Sequence, residues 1–120
     1  MSEFLSDEWF SELGETLQNA GPAPFDEGVV EVRIVFELTD GPSSLPHSIN
    51  FAVTRDGVTV QPGDHRAADA VIRISYNDAA ELAKGQLTSA KAVRDGRLKI
   101  RGDVHGLVPL LTWLLKAAES

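Results

Sequence analysis

The chain contains no cysteine. Disulfides, thiolate nucleophiles, CxxC redox pairs and Cys-ligated zinc are therefore excluded, and a thiol-free chain without staples fits a reducing compartment. Aromatics are sparse at 7%, with one Tyr and one Met. Basic residues are missing from the first 32 positions, which hold eight acids: Glu3, Asp7, Glu8, Glu12, Glu15, Asp26, Glu27 and Glu31. No apolar run is long enough to span a bilayer, since the longest nearly uncharged one, Val104 to Leu115, is short and contains His105 and Pro109. Met1-Ser2-Glu3 lacks the basic start of a secretory signal, and the Ala117-Ala118-Glu119-Ser120 ending is not a peroxisomal Ser-Lys-Leu address. A cytoplasmic location is the expectation.

What is present fits one soluble domain over residues 1–120. Hydrophobic residues make up 42% of the 120 and charged residues 24%, the proportions of a globular chain. The net charge of −7 is lopsided: beyond residue 32, ten acids meet eleven bases. Six of those bases, Lys84, Lys91, Arg94, Arg97, Lys99 and Arg101, fall within eighteen residues, opposed only by Asp95. Two readings stand: solvated helix faces, or a patch for anionic lipid headgroups. Nucleic acid is disfavoured, because the overall balance is acidic and the patch lacks interleaved aromatics for base stacking.

Hydrophobic periodicity orders the chain. Ser6 with Asp7-Glu8 reads as an N-cap and acidic first turn, and Trp9, Leu13, Leu17 and Ala20, with Phe10 alongside, follow at helical spacing until Gly21-Pro22. From Val30 the period is two, with Val30, Val32, Ile34, Phe36 and Leu38 on one face and Glu31, Arg33, Val35 and Glu37 on the other. Ile49, Phe51 and Val53 mark a second strand, and Asp56-Gly57 a hairpin into a third at Val58-Thr59-Val60. Ala70, Ile72 and Ile74 mark a fourth. Ser75-Tyr76-Asn77-Asp78 resembles a capping box before a helix that stops at Gly85. A short helix capped at Thr88-Ser89, a fifth strand around Leu98 and Ile100, and a last helix follow. That helix, Leu107 to Leu115, is apolar on nearly every side, which predicts burial on two sides. The fold class is α+β: a five-stranded, mostly antiparallel sheet with helices on one face.

No catalytic constellation emerges. Ser43, Ser44 and Ser48 lie near His47 without a Gly-x-Ser-x-Gly elbow. His47, His65 and His105 form no metal-ligand pair at the usual spacings, and the Asp64-His65 and Asp103-x-His105 aspartates fit turn and cap roles. No phosphate loop is present. Asp69 reads as a capping residue rather than a catalytic one. The apolar inventory by itself fits an ordinary core.

The second half of the chain carries a resemblance. Ala68-Asp69-Ala70-Val71-Ile72-Arg73-Ile74-Ser75 is followed by Leu82-Ala83-Lys84-Gly85-Gln86-Leu87, Ala90-Lys91-Ala92-Val93 and Gly96-Arg97-Leu98-Lys99-Ile100-Arg101-Gly102-Asp103. In this order the blocks resemble the sterol carrier protein type 2 family. There, an "ADVTL" strand end precedes a Ser-capped helix closing in "GKL", then a "KAF" helix and a "GKLKIKGD" strand. The specific wording covers residues 68–115; strands 29–61 agree in order and length.

The resemblance implies an apolar tunnel between sheet and helices that holds a fatty acid, fatty acyl-CoA, phospholipid or sterol. Phe36, Phe51, Val53, Ile72 and Ile74 would line the sheet side, with Leu82, Leu107, Leu110, Leu111 and Leu114 opposite. Arg94, Arg97 and Arg101 would meet headgroups or an anionic membrane. The expected function is an intracellular, non-enzymatic lipid-binding or lipid-transfer protein, without cofactor or metal, as a monomer or weak homodimer. The alternatives are an accessory interaction or dimerisation module with a closed tunnel, and a small enzyme acting on an apolar substrate through Tyr76, His47 or His105. Two departures stand out: the peroxisomal address of eukaryotic members is missing, and Ala79, Ala80, Ala90 and Ala92 replace the aromatic or Met residues usual in the two middle helices. Those small residues leave room for a larger cavity or for inward collapse.

Overall fold

The computed structural model describes residues 3–19, 31–64, 67–102 and 108–118. They form α1 (Asp7–Asn19), β1 (Glu31–Thr39), β2 (Ser48–Thr54), β3 (Gly57–Pro62), β4 (Ala70–Ser75), α2 (Tyr76–Ala83), α3 (Ser89–Arg94), β5 (Leu98–Arg101) and α4 (Val108–Ala118). Ala20, the Gly21–Pro24 connector and Val30 lie outside the described residues.

Alternation along the strands becomes a two-faced sheet in the order β3-β2-β1-β4-β5. The β1–β2, β2–β3 and β4–β5 pairs are antiparallel, and β1–β4 is parallel. Val32, Ile34, Phe36 and Leu38 of β1 share the inner face with Ile49, Phe51 and Val53 of β2 and with Ala70, Ile72 and Ile74 of β4; all are buried in one core cluster. The four helices place their buried side chains in the same cluster, so they cover one face. On the other face Arg101 reaches Glu37 at 2.7 Å and Arg73 approaches it at 3.9 Å. Val35 departs from that wet pattern: it is fully buried between Asn50 and Val71, its register partners.

Side-chain caps set the helix starts. The Trp9 N–H donates to Ser6 Oγ at 3.1 Å, the Asp78 N–H to Ser75 Oγ at 3.1 Å and the Lys91 N–H to Thr88 Oγ1 at 3.2 Å, each satisfying one donor left free at a helix start. At Ser75 only the forward half of the box forms. The Asp78 carboxylate instead accepts from Arg97 Nη1 at 3.4 Å, because Asp is one methylene shorter than the Glu that reaches back in a full box.

Three sequence expectations shift. In α1 the buried stripe is Phe10, Leu13 and Leu17, and Trp9 is only half-buried against the cluster. The β2–β3 turn centres on Arg55-Asp56, and Gly57 already pairs with Thr54; the Thr54 hydroxyl accepts the Asp56 N–H at 3.3 Å and donates to the Gly57 carbonyl at 3.1 Å. In α4, Leu110, Leu111, Leu114 and Leu115 are buried while Pro109, Thr112 and Lys116 are exposed. The helix is thus one-sided rather than apolar all round. Its four leucines contribute about 1.5–3 kcal/mol each, and Pro109 sits in the first turn, where no helical N–H partner is lost.

Candidate functional site

A single-walled sheet covered by helices leaves a gap where small side chains face large ones. Here the gap is a cavity of about 50 Å³. Phe36, Leu38, Ile49, Phe51 and Ile74 form its floor on the sheet, and Ala79, Leu82 and Ala83 of α2 form one wall. Phe4, Trp9 and Leu13, together with Leu115 of α4, close the remainder. The Phe36 and Phe51 rings meet at 5.2 Å on the floor. Every lining residue is apolar or aromatic, and among the described residues no polar or charged residue is buried. Left empty, a void of this size costs about 1 kcal/mol, which a domain of this size tolerates.

The cover over the lining is uneven. Most lining residues are buried; Phe4, Trp9 and Ala83 are half-exposed. Phe4 packs edge-on to Trp9 at 4.9 Å and tilted on Tyr76 at 5.5 Å. An aromatic cluster from the N-terminal segment thereby covers one side of the cavity. Leu5, next to Phe4, is buried with a φ of 70°, a left-handed conformation unusual for a branched side chain.

Of the wall residues expected from sequence, Phe36, Phe51, Ile74 and Leu82 line the cavity. Val53, Ile72, Leu110, Leu111 and Leu114 are buried in the surrounding core cluster but do not face it. Leu107 lies outside the described residues. Sequence reasoning missed Phe4, Trp9, Leu13, Leu38, Ile49 and Leu115 as lining residues. Of the small helix residues, Ala79 lines the cavity, and Ala92 is fully buried elsewhere in the core.

The three arginines expected at headgroups do not converge. Arg97 approaches Asp78 at 3.4 Å and Glu81 at 3.6 Å on α2. Arg101 is held by Glu37 on the helix-free face of the sheet. Arg94, on α3, is exposed and has no ion pair among the described residues.

The groups considered for catalysis are scattered. His47 is exposed in the loop before β2, where its carbonyl accepts the Leu38 N–H at 2.8 Å. Tyr76 packs against Phe4 beside the cavity rather than within its lining. His65, Asp103 and His105 lie outside the described residues. Asp69 accepts the Arg33 N–H at 2.8 Å, a structural role. No cluster of three potential metal ligands occurs among the described residues.

A sheet of this order, helices on one face and an apolar cavity between them agree with the sequence match: residues 27–110 match the SCP-2 sterol transfer family. The chain belongs to that family. The match extends the likeness back through all of β1 to β3. A crystal structure of sterol carrier protein 2 has the same fold at a TM-score of 0.65 and 18% identity, with 97% of each chain covered. Palmitated SCP2L2 from Aedes aegypti, solved in solution, matches at a TM-score of 0.56 and 16% identity over 95% of this chain and 90% of that one. The inverting sec-alkylsulfatase Pisa1 from Pseudomonas sp. matches at 0.62 and 17% identity over 95% of this chain, which spans only 16% of the enzyme. The fold therefore occurs both as nearly a whole chain and as a small part of a larger one.

No described helix is long and apolar enough to cross a membrane.

Proposed function

We propose that this protein is an intracellular, non-enzymatic lipid carrier that takes the hydrocarbon part of a fatty acid, fatty acyl-CoA, phospholipid or sterol into the cavity beneath α1, α2 and α4. The observation that carries this reading is the wholly apolar lining, from Phe36 and Phe51 on the sheet to Leu82 and Leu115 above it. Each methylene moved from water into such a lining gains about 0.8 kcal/mol. With no buried polar residue among those described to pair it, a headgroup would be costly to bury and stays at the mouth. The mouth is the side formed by Phe4, Trp9 and Ala83. Ligand entry requires the cavity to widen, since 50 Å³ is well below the roughly 300 Å³ at which small-molecule pockets begin. Displacing Phe4 from Trp9 and Tyr76 widens it without disturbing the sheet.

That small volume also favours a second reading, an accessory interaction or dimerisation module in which the cavity stays closed. The fold's presence as a minor part of the alkylsulfatase chain supports it. Native mass spectrometry of protein purified without detergent separates the two. A stoichiometric lipid adduct, or uptake of added palmitate or cholesterol, supports the carrier. A clean mass with no uptake, joined by concentration-dependent dimerisation, supports the module.

A further inference from the structure

The sheet order separates the molecule's charges. α1 packs over β3, at one edge of the sheet, and α3 packs against β5, at the other. Four strand spacings, about 19 Å, lie between those edges, more than two Debye lengths at about 0.15 M salt. Helix α1 at that edge carries Asp7, Glu8, Glu12 and Glu15 and no base. The α3–β5 edge carries Lys91 and Arg94 on α3, with Lys99 on the helix-free face of β5, all exposed and without an ion pair among the described residues, against the single acid Asp95. Net acidity at the far edge is therefore largely screened at this one.

The same edge holds the exposed apolar groups. Among the described residues only two large hydrophobics are exposed: Val93 of α3, at 51%, and Ile100 of β5, at 39%. Ile100 faces the core side in register with Ile72, yet β5 has no further strand beyond it to complete its cover. Val93 follows the fully buried Ala92 on the helix that packs against that strand.

We infer that the α3–β5 edge is the surface this protein presents to an anionic bilayer, with Val93 and Ile100 entering the headgroup region beside Lys91 and Arg94 of α3. The inference deepens the carrier reading and rests on it. Long cationic side chains lay their stems along the interface while their charges reach phosphate, and basic residues near an anionic leaflet are attracted individually. A six-residue helix and a four-residue strand offer little of the roughly 1,000 Å² that a stable protein interface needs. A bilayer sets no such minimum area. The arginines paired elsewhere, Arg97 and Arg101, are not part of this surface.

The test is co-sedimentation of the full chain with vesicles of phosphatidylcholine alone and of phosphatidylcholine mixed with phosphatidylserine, at low and high salt. Uptake of a fluorescent fatty acid is measured separately without vesicles. The expected result is binding to the mixed vesicles only, lost at high salt. Replacing Lys91 and Arg94 together by Gln weakens it about 25-fold, at roughly fivefold per basic residue. Val93→Ser with Ile100→Ser weakens it while every charge remains, which separates insertion from adsorption. Glu8→Gln with Glu12→Gln, at the opposite edge, leaves it within about twofold, as screening over two Debye lengths requires. All variants keep fatty-acid uptake and an unchanged circular-dichroism melt. Equal binding to both vesicle types, no binding, or indifference to the Val93 and Ile100 changes overturns the surface assignment. Vesicle binding without any fatty-acid uptake instead overturns the carrier reading and leaves the surface in place.

Discussion

Asp69 holds Arg33 twice: its backbone N–H donates to the Arg33 carbonyl at 2.7 Å, and its carboxylate accepts the Arg33 N–H at 2.8 Å. The pair stands immediately before Ile34 and Ala70, the first partners in the parallel β1–β4 ladder. A parallel ladder cannot be closed by a tight turn, so a side chain that fixes its first rung does the work a hairpin does elsewhere. Asp69→Ala removes the charged acceptor and should cost about 1.5–3 kcal/mol, the range for a hydrogen bond to a charged group. Asp69→Asn keeps an acceptor at that position and should recover part of the loss. Urea denaturation of the three proteins decides this; an alanine variant as stable as the parent removes the clamp.

Gly102 passes directly behind the same residue. Its φ is +110°, and a Cβ there would stand 2.8 Å from the Asp69 carbonyl oxygen, which backbone geometry holds in place. Gly102→Ala should therefore lose about 1–3 kcal/mol through strain alone, plus the displacement of β4. Gly96, with φ +73° and nothing within 4 Å of its Cβ position, is the control. Gly96→Ala should lose only about 1–2 kcal/mol. Thermal melts that order the two the other way contradict the close approach at Gly102.

Ser75 ends β4 and caps α2 within one residue. Ser75→Ala should cost about 1 kcal/mol. Arg97→Gln, which removes only exposed ion pairs to Asp78 and Glu81, should change stability by less than about 1 kcal/mol. Chemical denaturation of the single variants checks both. A larger loss for Arg97→Gln would mean that this pair, not the cap, secures the helix.

The two tryptophans report on different places. Trp9 lines the cavity, whereas Trp113 packs on the core from the partly exposed side of α4. In Trp113→Phe protein, added palmitate should shift or quench the remaining emission from Trp9. In Trp9→Phe protein the same addition should leave Trp113 nearly unchanged. Equal responses from both would place the ligand outside the cavity described above.

Much of this architecture can be read before any coordinate is known, because period-two alternation assigns a face directly. The inward set Val32, Ile34, Phe36 and Leu38 is the core face of β1, and the caps at Ser6, Ser75 and Thr88 are where their residue types place them. The cavity is harder to read. Its lining depends on which helix lies over which strand, so Phe4 and Trp9 enter it from an element whose placement no local pattern reports. In α4 a dense leucine run hides the helix phase, although exposed Pro109, Thr112 and Lys116 recur at i, i+3 and i+7 and mark the wet side. The ion pairs of Arg97 and Arg101 are hidden for a related reason: Asp78 lies 19 positions from Arg97 and Glu37 lies 64 from Arg101, and only the tertiary fold brings these partners together.

Strand order also governs how the chain assembles. β1, β2 and β3 form a meander of successive antiparallel neighbours, built from contacts close in sequence. β4 must then return to the other side of β1, pairing residues 36 positions apart, as between Ile34 and Ala70. Such long-range pairing slows folding. On the ribosome, where the N-terminal part emerges first, β1 has its second edge unpaired until β4 has been made. That edge flanks the apolar face of Val32, Ile34, Phe36 and Leu38, and an open apolar edge invites pairing with other chains. The strand that becomes the centre of the finished sheet is thus, for a time, an open border of the nascent chain.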